Sequence, residues 1–121
     1  MVVWFDRAVL FITKPPYGLE DCFSGLYVAV AFLNSGIKCS VVFLGDGVYA
    51  ALARQNSEKL SVPSVEDVVY VLLSEAKLYA HRESLLERGI SESNLIKGVK
   101  LISDREVAEL LASEGECIIT F

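Results

Sequence analysis

Short, uninterrupted apolar runs separated by stretches of helical length organise this chain. Ala8-Val-Leu-Phe-Ile-Thr13 is the first such run, as a strand buried on both faces requires. Pro15, Pro16 and Gly18 end it and turn the chain. Leu19 to Asn34 then reads as a helix that is apolar nearly all round, with Gly36 in the position of a C-terminal cap. Cys39 to Leu44 is a second buried strand, and Gly45-Asp46-Gly47 turns it into a short helical segment, Val48 to Ala53. The polar stretch Arg54 to Pro63 reads as a loop. Ser64, with Glu66 and Asp67 behind it, starts a helix that runs on through Val68 to Leu73. Lys77 to Ala80 is the third core strand, ending at His81; Glu83 to Arg88 is a short helix closed by Gly89. Val99 to Ile102 is the fourth strand. Ser103 and Glu106 make a capping box for a helix over Asp104 to Ser113, and Cys117 to Phe121 is the last strand.

Strands alternating with helices predict one α/β domain over residues 1–121, a mostly parallel five-stranded sheet with helices on both faces. One face of the first helix packs on that sheet, and its remaining apolar face calls for a partner.

Composition sharpens this picture. The chain has 121 residues, of which 53% are hydrophobic, and a mean hydropathy of +0.45. A small domain must show much of its surface to water, so this content points to burial between subunits. A bilayer is the poorer explanation. The longest charge-free run, Cys22 to Ile37, is broken by Ser24, Asn34, Ser35 and two glycines, and falls short of the roughly 18–20 apolar residues a span needs. Met1 to Arg7 carries Asp6 and no basic leader, so no secretory signal is expected. The net charge of −5 and scattered lysines and arginines argue against direct nucleic-acid binding.

Three cysteines with no CxxC pair fit free thiols in a reducing cytoplasm rather than a disulfide framework or zinc site. Cys22 falls in the first turn of the first helix, where unpaired N–H groups and the helix dipole would stabilise a thiolate. Against that stands the common fate of a free cysteine, burial as a small apolar side chain. Cys39, inside a strand, is expected in the core; Cys117, beside Glu116, is expected to be structural. His81, the only histidine, lies at a strand's carboxyl end, where open α/β sheets gather ligands. It reads either as a donor to a bound anion or as a hydrogen-bonded turn residue. A metal is not expected, because no second histidine and no organised set of carboxylates accompanies it. Asp46 is expected to cap the segment that follows it, with Gly45 and Gly47 allowing a tight turn. No GxGxxG, Walker loop or G-x-S-x-G elbow is present, so nucleotide-binding and hydrolase readings have no residues to stand on.

Three segments in this order carry a resemblance to a known family: the apolar strand followed by Pro15-Pro16-Tyr17-Gly18, then Phe43-Leu44-Gly45-Asp46-Gly47-Val48, then Leu85-Leu86-Glu87-Arg88-Gly89-Ile90. Together they resemble the DsrE/DsrF-like sulfur-relay proteins, most closely the DsrF/TusC branch. The resemblance implies a flavodoxin-like three-layer domain and cytoplasmic trimers or hexamers, either of one chain or with DsrE/TusD-like and DsrH/TusB-like subunits. It also implies persulfide sulfur transfer, in tRNA thiolation or sulfur metabolism, without organic cofactor or metal. In DsrE/TusD-type subunits the carrier cysteine lies just past the third strand, where this chain has Ala80-His81. Leu19-Glu20-Asp21-Cys22 is instead similar to the cysteine segment of DsrH/TusB-type subunits.

The expected function is therefore that of an accessory, DsrF/TusC-like subunit of a sulfur-relay oligomer. Cys22 is its candidate sulfur acceptor and His81 its candidate anion-stabilising group. The alternative is a structural or regulatory binding module with no covalent step.

Overall fold

Five strands pair side by side in the order β4-β3-β2-β1-β5. They are β1 (Arg7–Ile12), β2 (Lys38–Phe43), β3 (Lys77–His81), β4 (Lys100–Ile102) and β5 (Cys117–Thr120). Every pairing is parallel. This is a computed structural model, and it describes residues 5–16, 21–53 and 65–121. The expected beginning of the first helix at Leu19, the Tyr17-Gly18 turn, the loop Arg54 to Pro63 and the Ser64 cap lie outside the described residues.

The sheet is sandwiched, as the continuous apolar runs require. Ala8, Leu10 and Ile12 of β1 with Cys39, Val41 and Phe43 of β2 point into one core, which α1 (Asp21–Asn34) and α2 (Val65–Leu73) cover. Val9, Phe11 and Val42 point the other way, under Leu110 of α4 (Asp104–Glu114). In α1 the buried residues are Cys22, Gly25, Leu26 and Ala29, a stripe at helical spacing. Gly25 sets the distance between helix and sheet: a Cβ there would come within 2.4 Å of Ile12 Cδ1 and 2.9 Å of the Phe121 ring.

Two connections decide where a site can form. After β2 the chain enters a 3-10 helical turn, Gly45–Ala51, which starts and ends earlier than the short helical segment expected over Val48 to Ala53. Gly47 is required there by proximity, because a Cβ would stand 1.8 Å from the Ile12 carbonyl oxygen. That oxygen also accepts from the Leu44 N–H at 2.9 Å, which pins the turn against the end of β1. After β3, α3 (Arg82–Glu87) sends Leu85 into the core beneath α1 and α2. After β4, α4 crosses the opposite face to reach β5. The neighbouring strands β3 and β4 therefore release their chains to opposite faces of the sheet. Such a point opens a crevice at the strands' carboxyl ends, where ligands of open α/β sheets bind.

The remaining boundaries follow the amphipathic pattern closely. Ser103 and Glu106 form both halves of the expected capping box. A short 3-10 turn, Glu92–Asn94, has no counterpart in the sequence reading. Its Ser91 side chain accepts from the Ser93 N–H, a local bond that no hydrophobic period announces. Among the described residues, no helix is long and apolar enough to cross a membrane.

Candidate functional site at the carboxyl ends of β3 and β4

His81 is the last residue of β3 and the N-cap of α3, and its imidazole is nine-tenths buried. Nδ1 accepts from the Ser84 backbone N–H at 3.3 Å, the ordinary office of a cap. It also lies 2.7 Å from Ser84 Oγ. That oxygen accepts from the Gly45 N–H at 2.9 Å, leaving its own proton to point at the ring. With Nδ1 receiving bonds, the neutral imidazole carries its proton on Nε2. Nε2 donates to Asp104 Oδ1 at 2.6 Å, a short bond of the charge-assisted kind.

Glu83 completes the cluster. Its Oε2 stands 3.1 Å from Nε2, inside ion-pair distance. Yet Oε2 is buried and has no hydrogen-bond partner. The single N–H on Nε2 points at Asp104, so Glu83 Oε2 faces the ring with no proton to accept. The residues expected to form an anion site instead surround His81 with two carboxylates. These repel an incoming persulfide, so the expected role of His81 as an anion donor meets an electrostatic obstacle within this chain.

Around this cluster the chain ties its turns together. Arg88 donates from Nε at 3.1 Å and from an Nη at 2.9 Å to Asp46 Oδ1, and from its other Nη to the Ser84 carbonyl at 3.1 Å. Asp46 is thus a partner for Arg88 and not the cap expected from sequence; the 3-10 turn begins at Leu44 with no side-chain cap. Gly45 and Gly89, with φ of +58° and +64°, make the two turns that bring Asp46 and Arg88 together. Two of the three segments that carried the family resemblance meet in this contact.

Ser84, His81 and Asp104 line up like a hydrolase triad, but Ser84 is buried and its hydroxyl is committed to Gly45 and the ring. No oxygen nucleophile is presented. A surface cavity of about 400 Å³ lies elsewhere, near the amino ends of β3 and β4, lined by Lys77, Lys97 and Lys100.

Cys22 is in the first turn of α1 as expected, but not in the expected state. Its side chain is wholly buried, in the core that also holds Leu10, Ile12 and Leu26. Burial pushes the thiol up to about 12, against an ordinary value of 9.0. The expected low-pKa thiolate is corrected here: desolvation outweighs the helix end. Cys39 is likewise buried, and its thiol is pushed up to about 11 by burial and by Cys117. Cys117 is half-buried at the start of β5, at the opposite end of the sheet from His81. Sequence reasoning missed Glu83, Ser84 and Asp104 as neighbours of His81. The acid two residues after His81 was visible; Asp104 required the pairing of β3 with β4.

A doubly wound parallel sheet with a polar cluster at its switch point defines the class of this protein. The chain belongs to the DsrE/DsrF-like family, whose pattern it matches over residues 6–121. It is 29% identical over 116 residues to the uncharacterized protein MJ0989 of Methanocaldococcus jannaschii, covering 95% of this chain and 99% of that one. It is 26% identical over 117 residues to the uncharacterized protein MK0008 of Methanopyrus kandleri, covering 96% and 94%. Among solved structures, YchN of E. coli superposes with a TM-score of 0.83 at 24% identity, over 95% of this chain and 99% of YchN. MTH1491 of Methanobacterium thermoautotrophicum, of unknown function, gives 0.67 at 19% identity, over 96% and 100%. These two likenesses concern the fold. Family membership associates the chain with sulfur-relay proteins.

Proposed function

We propose that this chain is an accessory subunit of a sulfur-relay oligomer, and that it shapes a transfer site without accepting sulfur itself. The observation that carries this reading is the occupant of the carboxyl end of β3. A buried, hydrogen-bonded His81 stands where the resemblance puts the carrier cysteine, and Cys22, the alternative acceptor, is sealed in the core. Subunit contact is supported by large apolar side chains left in water, including Tyr27, Tyr70, Val71 and Leu86. In this reading they meet either further copies of the chain or DsrE/TusD-like and DsrH/TusB-like subunits in the cytoplasm.

Intact-mass analysis after incubation with inorganic polysulfide tests the assignment. The wild-type chain is expected to gain no sulfur on Cys22. A sulfur adduct on the wild-type chain that disappears in Cys22→Ser would overturn the accessory reading and restore Cys22 as an acceptor.

A further inference from the structure

We propose that His81 Nε2, Asp104 Oδ1 and Glu83 Oε2 form a binding site for a divalent transition-metal ion, with Zn²⁺ the best match. The three atoms come from three different elements, the end of β3 and the starts of α3 and α4, and lie within 4.8 Å of one another. One imidazole nitrogen and two carboxylate oxygens suit an ion of borderline softness. Mg²⁺ and Ca²⁺ prefer shells made of oxygen alone.

A second observation concerns bonding and not proximity. Among the described residues, Glu83 Oε2 is the buried side-chain oxygen with no hydrogen-bond partner. It stands 3.1 Å from a nitrogen whose proton is already given to Asp104. A cation between the three atoms satisfies that oxygen and separates the two carboxylates at once. The ring is held in place by its far nitrogen, which accepts from the Ser84 N–H and the Ser84 hydroxyl, the hydroxyl itself anchored on the Gly45 N–H.

The proton balance closes without a co-reactant. Nε2 gives up its proton to bind the ion, and Nδ1 takes one up from solvent. Nδ1–H then donates to Ser84 Oγ, whose own hydrogen turns away, and the capping bond from the Ser84 N–H to Nδ1 is given up. The neutral imidazole changes tautomer and no net proton is released. Ligand atoms around a tetrahedral ion with bonds of about 2.0–2.2 Å are roughly 3.4 Å apart. Asp104, with 81% of its side chain exposed, is free to open from 2.6 Å to that spacing, while the buried ring stays still. Three protein ligands leave a fourth position for solvent or an incoming ligand.

The test is calorimetric titration of the metal-free full chain with ZnCl₂, repeated with Co²⁺ to read the ligand field by absorbance. One ion per chain is expected. Glu83→Gln and Asp104→Asn should each weaken binding at least tenfold. His81→Asn, which keeps a capping side chain, should abolish it, and Cys117→Ser should leave it unchanged. Absence of saturable binding by the wild-type chain overturns the proposal. So does binding that survives the cluster substitutions or is lost in Cys117→Ser. Should His81→Asn fail to fold, the partly exposed Glu83 and Asp104 still decide the matter. The sulfur-loading experiment is read separately, so the two proposals fail independently.

Discussion

Two corners of the same sheet edge invite comparison, because sequence placed a candidate group at each. Cys22 sits at the start of α1, just after β1, and His81 at the start of α3, directly after β3. Both are in the first turn or cap of a helix, and both are buried. Their states are opposite. Around Cys22 the neighbours are apolar, and a helix end worth about 0.3–1 kcal/mol cannot offset burial that lifts the thiol from 9.0 to about 12, on the order of 4 kcal/mol. Around His81 every polar atom of the ring has a partner, and the cluster reaches solvent through Asp104. Position at a helix start does not make a site; the polarity of what packs against it does.

The strongest way to break this contrast is through pH. A sealed Cys22 keeps its proton in the folded chain up to about 12, while the unfolded chain loses it near 9.0. Between these values the folded state binds more protons, so stability falls as pH rises. The contribution is complete below pH 9 and is lost as pH climbs through 12, on the order of 4 kcal/mol in all. Urea unfolding of the wild type should therefore weaken more steeply across this window than that of Cys22→Ala. Equal slopes would mean that the thiol is not sealed.

Next in size is the turn that ties the end of β2 to the end of β1. Gly47→Ala drives a methyl group into the Ile12 carbonyl, a backbone atom that cannot step aside. A loss of about 3 kcal/mol or more is expected from overpacking at such a point. The urea midpoint measures it, and a change below 1 kcal/mol would show that the turn does not pin β1 to β2.

The smallest expected effect sharpens the other half of the comparison. His81→Ala removes a cap and should cost about 1 kcal/mol, most of which His81→Asn should restore. If both variants are equally destabilised, the ring is held chiefly by Asp104 and the Ser84 hydroxyl and its capping bond is incidental.

Much of the architecture could be read from one-dimensional pattern, for a physical reason. Strands buried on both faces need unbroken apolar runs, so β1 and β2 stand out in sequence, and the Ser103–Glu106 box announces α4 because capping is a bond between near neighbours. Local chemistry is what a sequence states directly. The state of each candidate group was not local. Burial of Cys22 depends on which face of α1 meets the sheet, and the helix was apolar on nearly every side. Asp46 looked like a cap until folding brought Arg88, 42 residues away, onto its oxygen. His81 acquired Asp104 only because β4 lies beside β3 and α4 leaves toward the opposite face. Desolvation and long-range ion pairing are properties of neighbours in space, and only the tertiary structure chooses those.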